Sequence, residues 1–240
     1  MVTSKRMVAV VGAPGLLVGF GGMLLCGLLG CGPRLPSPHM QMSLQAETGQ
    51  PQVADVDTRM AGSFDFYLLN LSWSPEFCAT HAGGLECAEH RGFIVHGLWP
   101  QRTDGSYPEQ CTRRPGPTDP HAWADIMPDA GLVQHEWQTH GTCTPYAADT
   151  YFSMVRRAYR SVTIPAEFAS MSQEQRLAPA AIVDAFTQAN PGFPAGSIAI
   201  SCGNNRLTAV EVCLTQDLRP EACSGIRSCR ANAVKVTPLQ

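Results

Sequence analysis

Eight cysteines between positions 78 and 229 constrain this 240-residue chain more than any other feature. They are Cys78, Cys87, Cys111, Cys143, Cys202, Cys213, Cys223 and Cys229. In an exported chain, an even set of this kind reads as a disulfide framework, although spacing alone allows on the order of a hundred pairings. A zinc site would need CxxC pairs or tight Cys/His clusters, and no two of these cysteines are that close. The amino terminus supplies the export signal. Lys5 and Arg6 precede an uncharged, mostly apolar run over residues 7–30, the layout of a targeting segment. Its end, Leu28-Leu29-Gly30-Cys31, resembles a bacterial lipobox, so Cys31 is the expected lipidation site. About 20 apolar residues can also span a bilayer, yet several glycines and Pro14 make a poor spanning helix. Lipid anchoring, periplasmic or secreted release, and a spanning helix all place the rest of the chain outside the cytoplasm. Residues 31–60 hold four prolines and no apolar period, and read as a tether.

The remainder, residues 61–240, is expected to form one α+β domain. Residues 63–73 and 92–98 read as strands, rich in aromatic and aliphatic side chains. Helices are expected at 121–127, 132–142, 151–159 and 180–189, the last two with clear helical spacing of apolar positions. Residues 197–201 and 206–214 form a hairpin around Gly203-Asn204-Asn205. Formal charge at pH 7 is −3, which excludes a polybasic nucleic-acid clamp. Seven histidines turn the surface cationic as pH falls. Lysine is confined to Lys5 and Lys235, so arginine carries nearly all the permanent positive charge.

Two segments concentrate the chemistry. Residues 93–100 (FIVHGLWP) end an apolar strand on His96, Gly97 and Trp99. Residues 135–143 (HEWQTHGTC) hold His135, Glu136 and His140. On a helix, Glu136 and His140 would lie about 40° apart, close enough for the carboxylate to orient the imidazole and raise its pKa. The spacing is HExxxH rather than the HExxH of a zinc protease, so His135 and His140 diverge by about 140°. Arg113-Arg114 is expected to be a solvated turn, and Arg156, Arg157 and Arg160 the wet face of a helix.

FIVHGLWP and HEWQTHGTC resemble the two active-site segments of the ribonuclease T2 family, the exported acid endoribonucleases. FYLLNLSWSPEFC (66–78) and the nested cysteines near the carboxyl terminus extend the likeness over about three quarters of the chain. The resemblance implies an antiparallel sheet flanked by helices. It implies His96 and His140 as a catalytic acid–base pair, with His140 taking the ribose 2′-hydroxyl proton and His96 protonating the departing 5′-oxygen. Glu136 and His135 would attend the phosphate, and Trp99 and Tyr107 would sandwich a base. Disulfides Cys78–Cys87, Cys111–Cys143, Cys202–Cys229 and Cys213–Cys223 follow from the same likeness. So does the reaction: cleavage of single-stranded RNA by a monomer without metal or cofactor, through 2′,3′-cyclic phosphate ends to 3′-phosphates, with DNA inert. Two positions depart from the family. Thr139 stands where most members have a lysine beside the second histidine, a role Arg91 or Arg102 could assume. Gln101 stands where some members carry an acid that reads the base, which leaves base preference open. A catalytically silent domain of the same fold and a metal-dependent phosphoesterase are the alternatives.

Overall fold

A computed structural model describes residues 62–239; the leader, Cys31 and the tether lie outside the described residues. Strand β1 (Phe66–Trp73) is buried at every position but Ser72. It pairs antiparallel with strands on both sides, and side chains on both of its faces are buried, which is why its sequence runs apolar instead of alternating strictly. Pro75 opens α1 (Ser74–Thr80), where its missing N–H costs nothing. Strand β2 (Phe93–Gln101) lies beside β1 at one end of the sheet. Pro100 is tolerated there because an edge strand needs ladder bonds on one side only.

A 3₁₀ turn, Pro120–Trp123, replaces the helix expected at 121–127. Asp119 accepts a hydrogen bond from His121 N there, and Pro128 prevents further winding. Helix α2 (Ala130–Thr139) is capped by Asp129, whose carboxylate accepts from Gly131 N at 2.7 Å. It stops three residues before the expected end, and the chain passes through His140 into another 3₁₀ turn, Gly141–Cys143. Then come α3 (Ala148–Arg160), α4 (Ala166–Ala169), β3 (Gln175–Leu177) and α5 (Pro179–Ala189). Strands β4 (Ile198–Gly203), β5 (Arg206–Leu214) and β6 (Val234–Val236) complete the sheet. All pairings are antiparallel except one parallel bridge between β5 and β6. In the β4–β5 hairpin Gly203 is the last strand residue, opposite Arg206. The turn itself is Asn204-Asn205, with φ of +51° and +58°, values asparagine tolerates better than most residues.

The two faces of the sheet differ. One carries Tyr67, Leu69, Leu71 and Trp73 against Trp137, Tyr151, Phe152, Phe168 and Phe186, the main core under the helices. The other carries only a small cluster, Phe66, Leu68 and Cys213, with Trp99, Cys223 and Ile226 at its margin. Among the described residues no helix residue packs against that second cluster, and a groove borders it at Leu68, Trp99 and Ile226. Four disulfides, Cys78–Cys87, Cys111–Cys143, Cys202–Cys229 and Cys213–Cys223, brace the loops. Arg156 is more than a wet-face residue. It bonds Asp125 and the carbonyl of Ala122 and lies 4.5 Å over the Trp123 ring, fastening α3 to the 3₁₀ turn.

Candidate active site

His96 owes its direction to an irregularity. Along β1 and β2, Asn70 pairs with Gly97 and Leu71 with Val95, so the register skips His96. A bulge of this kind breaks strict alternation and re-aims the side chain. Ser72 Oγ lies 3.2 Å from His96 Nδ1, and Glu136 Oε1 lies 3.4 Å from Nε2. The other carboxyl oxygen of Glu136 accepts from Trp99 Nε1 at 2.7 Å. Gly97 is required by this closeness: a Cβ there would collide with the Glu136 carboxyl and with Trp99 Nε1.

His140 is the residue at which α2 ends, its N–H bonded to Glu136 O. Gly141 lets the chain turn directly over Trp137, where a Cβ would strike the indole. Arg114 holds the following turn, donating to the carbonyls of Gly141, Thr142, Thr144 and Tyr146 and lying 5.0 Å over the Trp137 ring. The expected solvated turn at Arg113-Arg114 is therefore half wrong. Arg113 is exposed, whereas Arg114 is a partly buried clamp. The Cys111–Cys143 bridge ties down the same turn from its far side.

The carboxyl–imidazole pairing expected within the helix is also corrected. Because α2 ends at Thr139, the Glu136 carboxyl meets His96 of β2, and it forms no bond to the His140 imidazole among the described residues. Burial pushes Glu136, 1% exposed, up to about 8, opposed only by the Trp99 hydrogen bond. Burial, then the neighbouring His135, push His96 down. Glu136 and His96 thus hold one proton between them at neutral pH, and burial favours the uncharged arrangement, a carboxylic acid beside a neutral imidazole. Burial, with His135 and His96 adding repulsion, pushes His140 down to about 4. The expected rise in its pKa is reversed, because no anion offsets desolvation. Its Nδ1 is buried without a hydrogen-bond partner among the described residues.

Trp99 joins the two imidazoles. Its ring centroid lies 5.6 Å from that of His96, edge-on, and 5.2 Å from that of His140. Tyr107 is half exposed, 6.4 Å from His140. Trp99, Gln101, Tyr107, Thr139 and His140 line the groove, whose volume is about 550 Å³. His96 opens instead toward a hollow of about 120 Å³ on its other flank, beside Ser72, Phe77 and Leu85. His135 is exposed and lies with Thr139 and Arg113 in a third depression. Neither arginine expected to replace the lysine reaches the groove. Arg91 is bonded to Glu89 and Asp125 O, and Arg102 to Ser63 O and Ser106. Among the described residues no three His, Cys, Asp or Glu side chains are grouped to hold a metal ion. Nothing in the sequence marks Ser72 or Arg114 as a site residue; the glycine beside His96 is the one available signal.

Fold and site define a class: disulfide-braced α+β domains whose sheet edge and adjoining helix end each present a histidine to one aromatic residue. A model of the Ribonuclease T2 family matches residues 64–223. "Ribonuclease" of Aeromonas hydrophila is 48% identical over 86 residues, 35% of this chain and 40% of that protein's length. "Ribonuclease DdI" of Dictyostelium discoideum is 29% identical over 222 residues, 80% of this chain and 96% of that protein. Among solved structures, the RNase-related protein from Calystegia sepium shares the fold, with a TM-score of 0.57 at 22% identity over 73% of this chain and 98% of that one. The chain belongs to the Ribonuclease T2 family.

Proposed function

We propose that the protein is an exported endoribonuclease that cleaves single-stranded RNA through its own 2′-hydroxyl, using His140 as base and His96 as acid and needing no metal. The observation that carries this reading is the arrangement about Trp99, whose ring contacts both imidazoles while its N–H holds the Glu136 carboxyl. The ribose 2′-oxygen is an intramolecular nucleophile, so the protein need only position the phosphate and move two protons. His140, neutral above about pH 4, takes the 2′-hydroxyl proton. The 2′-oxygen forms a bond to phosphorus as the bond to the 5′-oxygen breaks. His96 gives that oxygen a proton and is resupplied through Glu136, which keeps one until about pH 8. A 2′,3′-cyclic phosphate results, and water opens it to a 3′-phosphate with the two roles exchanged.

The nucleoside bearing the 2′-hydroxyl would occupy the groove of His140, its base between Trp99 and Tyr107 and within reach of Gln101. The following nucleoside would lie on the His96 flank. His135 would lie near the phosphate. Cys31 would anchor the enzyme, a monomer, to a bacterial envelope, with residues 31–60 as tether. Thr139 favours a second reading, a silent binding domain, since a hydroxyl supplies none of the charge-assisted bonding of an ammonium group.

One experiment separates these readings. The purified protein is incubated with RNA and with DNA in EDTA at pH 4–7, and the product ends are analysed. Cleavage of RNA alone to cyclic phosphate ends is expected, lost by roughly 10²–10⁴ in His140→Asn or His96→Asn. Cleavage of DNA, or abolition by the chelator, would overturn the mechanism; intact RNA would favour the silent domain.

A further inference from the structure

On the floor of the same groove lies an acid that the proton transfers do not use. Glu211 sits on β5, opposite Asn70 of β1, and faces the cavity that holds Trp99, Tyr107 and His140. It is 7% exposed. Asn70 Nδ2 donates to its Oε1 at 3.2 Å and Ser201 Oγ donates to the same oxygen at 2.8 Å. Both lone pairs of Oε1 are thereby used, and the carboxyl is fixed in orientation. Oε2 has no hydrogen-bond partner among the described residues. A buried carboxyl held from behind by two strands, with one oxygen left to a cavity walled by aromatic rings, is a recognition element in search of N–H donors.

We propose that Glu211 reads the base 5′ to the scissile bond and selects guanine through Oε2. The inference rests on the ribonuclease reading and on His140 serving as the base, which puts that nucleoside in this groove. Guanine alone among the four bases presents N–H groups from two adjacent ring positions, N1–H and the amino group on C2, to one anionic oxygen. Adenine and cytosine set an unprotonated ring nitrogen beside their amino group, and uracil flanks its N3–H with carbonyls. Each would bring lone pairs against the carboxylate. A buried acceptor left unpaired by the wrong base discriminates strongly.

Burial pushes Glu211 upward, against the two hydrogen bonds it receives. Around it stand Asn70 on β1 and Ser201 on β4, and the groove adds Asp104, Glu109, His140 and Arg227. Guanine's N–H donors favour the ionised form, so preference for guanine should grow as pH rises through the acid range.

The test compares kcat/KM for GpU, ApU, CpU and UpU at pH 4 and pH 6, with binding of 3′-GMP and 3′-UMP measured by calorimetry. The native protein should favour GpU, by a larger ratio at pH 6 than at pH 4, and should bind 3′-GMP more tightly. Glu211→Gln, which turns Oε2 into an N–H donor, should abolish the preference and its pH dependence while UpU cleavage persists. Glu211→Asp keeps the charge but withdraws it, and should lose the preference as well; it serves if the glutamine variant does not fold. Equal rates on all four dinucleotides, or an unchanged preference in a folded variant, would overturn the proposal. Cleavage of none by the native protein would overturn instead the ribonuclease reading beneath it.

Discussion

Glu136 is held beside an imidazole, a tryptophan N–H and very little water. Its raised pKa has a sign that stability measurements can read. Unfolded, the group loses its proton near its ordinary value; folded, it keeps it to about pH 8. Over that interval the folded state binds the extra proton, so stability falls as pH rises. His140 acts oppositely: depressed to about 4, it makes stability fall as pH drops from about 6.5. The window from pH 6.5 to 8 therefore isolates Glu136. Tm should decline across it in the native protein and stay nearly level in Glu136→Gln; parallel declines would refute the assignment. Thr139 lies between two depressions, with Arg227 in one and Arg113 in the other. Thr139→Lys should raise kcat on RNA, whereas an unchanged kcat with folding intact would mean that one of those arginines already supplies the charge. His96, Glu136 and His140 were legible because three ionisable side chains in two short motifs are hard to assign to packing. Their partnership was not, since the arithmetic of a helical face assumed that the helix continues through His140.

Helix α2 gives way at His140 to a turn that is gripped from outside. Arg114 donates to four carbonyls beyond His140 and stacks on Trp137. Removing the guanidinium would leave partly buried acceptors unpaired, a loss on the order of 1–3 kcal/mol. Arg114→Met should lower the denaturation midpoint accordingly and lower kcat more than it raises KM, because His140 loses its placement. An activity loss confined to KM would point to direct contact with RNA instead. Long periodic elements such as α3 and α5 could be read from their spacing. Elements α1, α4, β3 and β6 could not. Each has seven residues or fewer, too few for a period to show, and β3 and β6 exist only through pairing with distant strands.

The molecule as a whole uses its sheet asymmetrically, with helices burying one face and the groove opening over the other. Loops border that groove, and disulfides substitute for the core they lack. The Cys111–Cys143 bridge closes 32 residues and should contribute roughly 3–4 kcal/mol by the loop-entropy model. A Cys111→Ala/Cys143→Ala variant should lose about that much stability and, through the turn after His140, activity as well; full kcat would show that Arg114 alone holds the turn. That the chain folds as an α+β unit was readable from its pattern of elements, but the open face was not, since it depends on which strand is central. Central to the account is a base that works once His140 is neutral and an acid supplied by the proton that His96 and Glu136 share. The pH profile of kcat/KM on RNA tests this most directly, since it reports the free enzyme's acid and base. The account predicts a bell rising through about pH 4 and falling through about pH 8, with the alkaline limb of Glu136→Gln moved below pH 6.5. A rate that stays level above pH 8, or an alkaline limb that Glu136→Gln leaves in place, would contradict it.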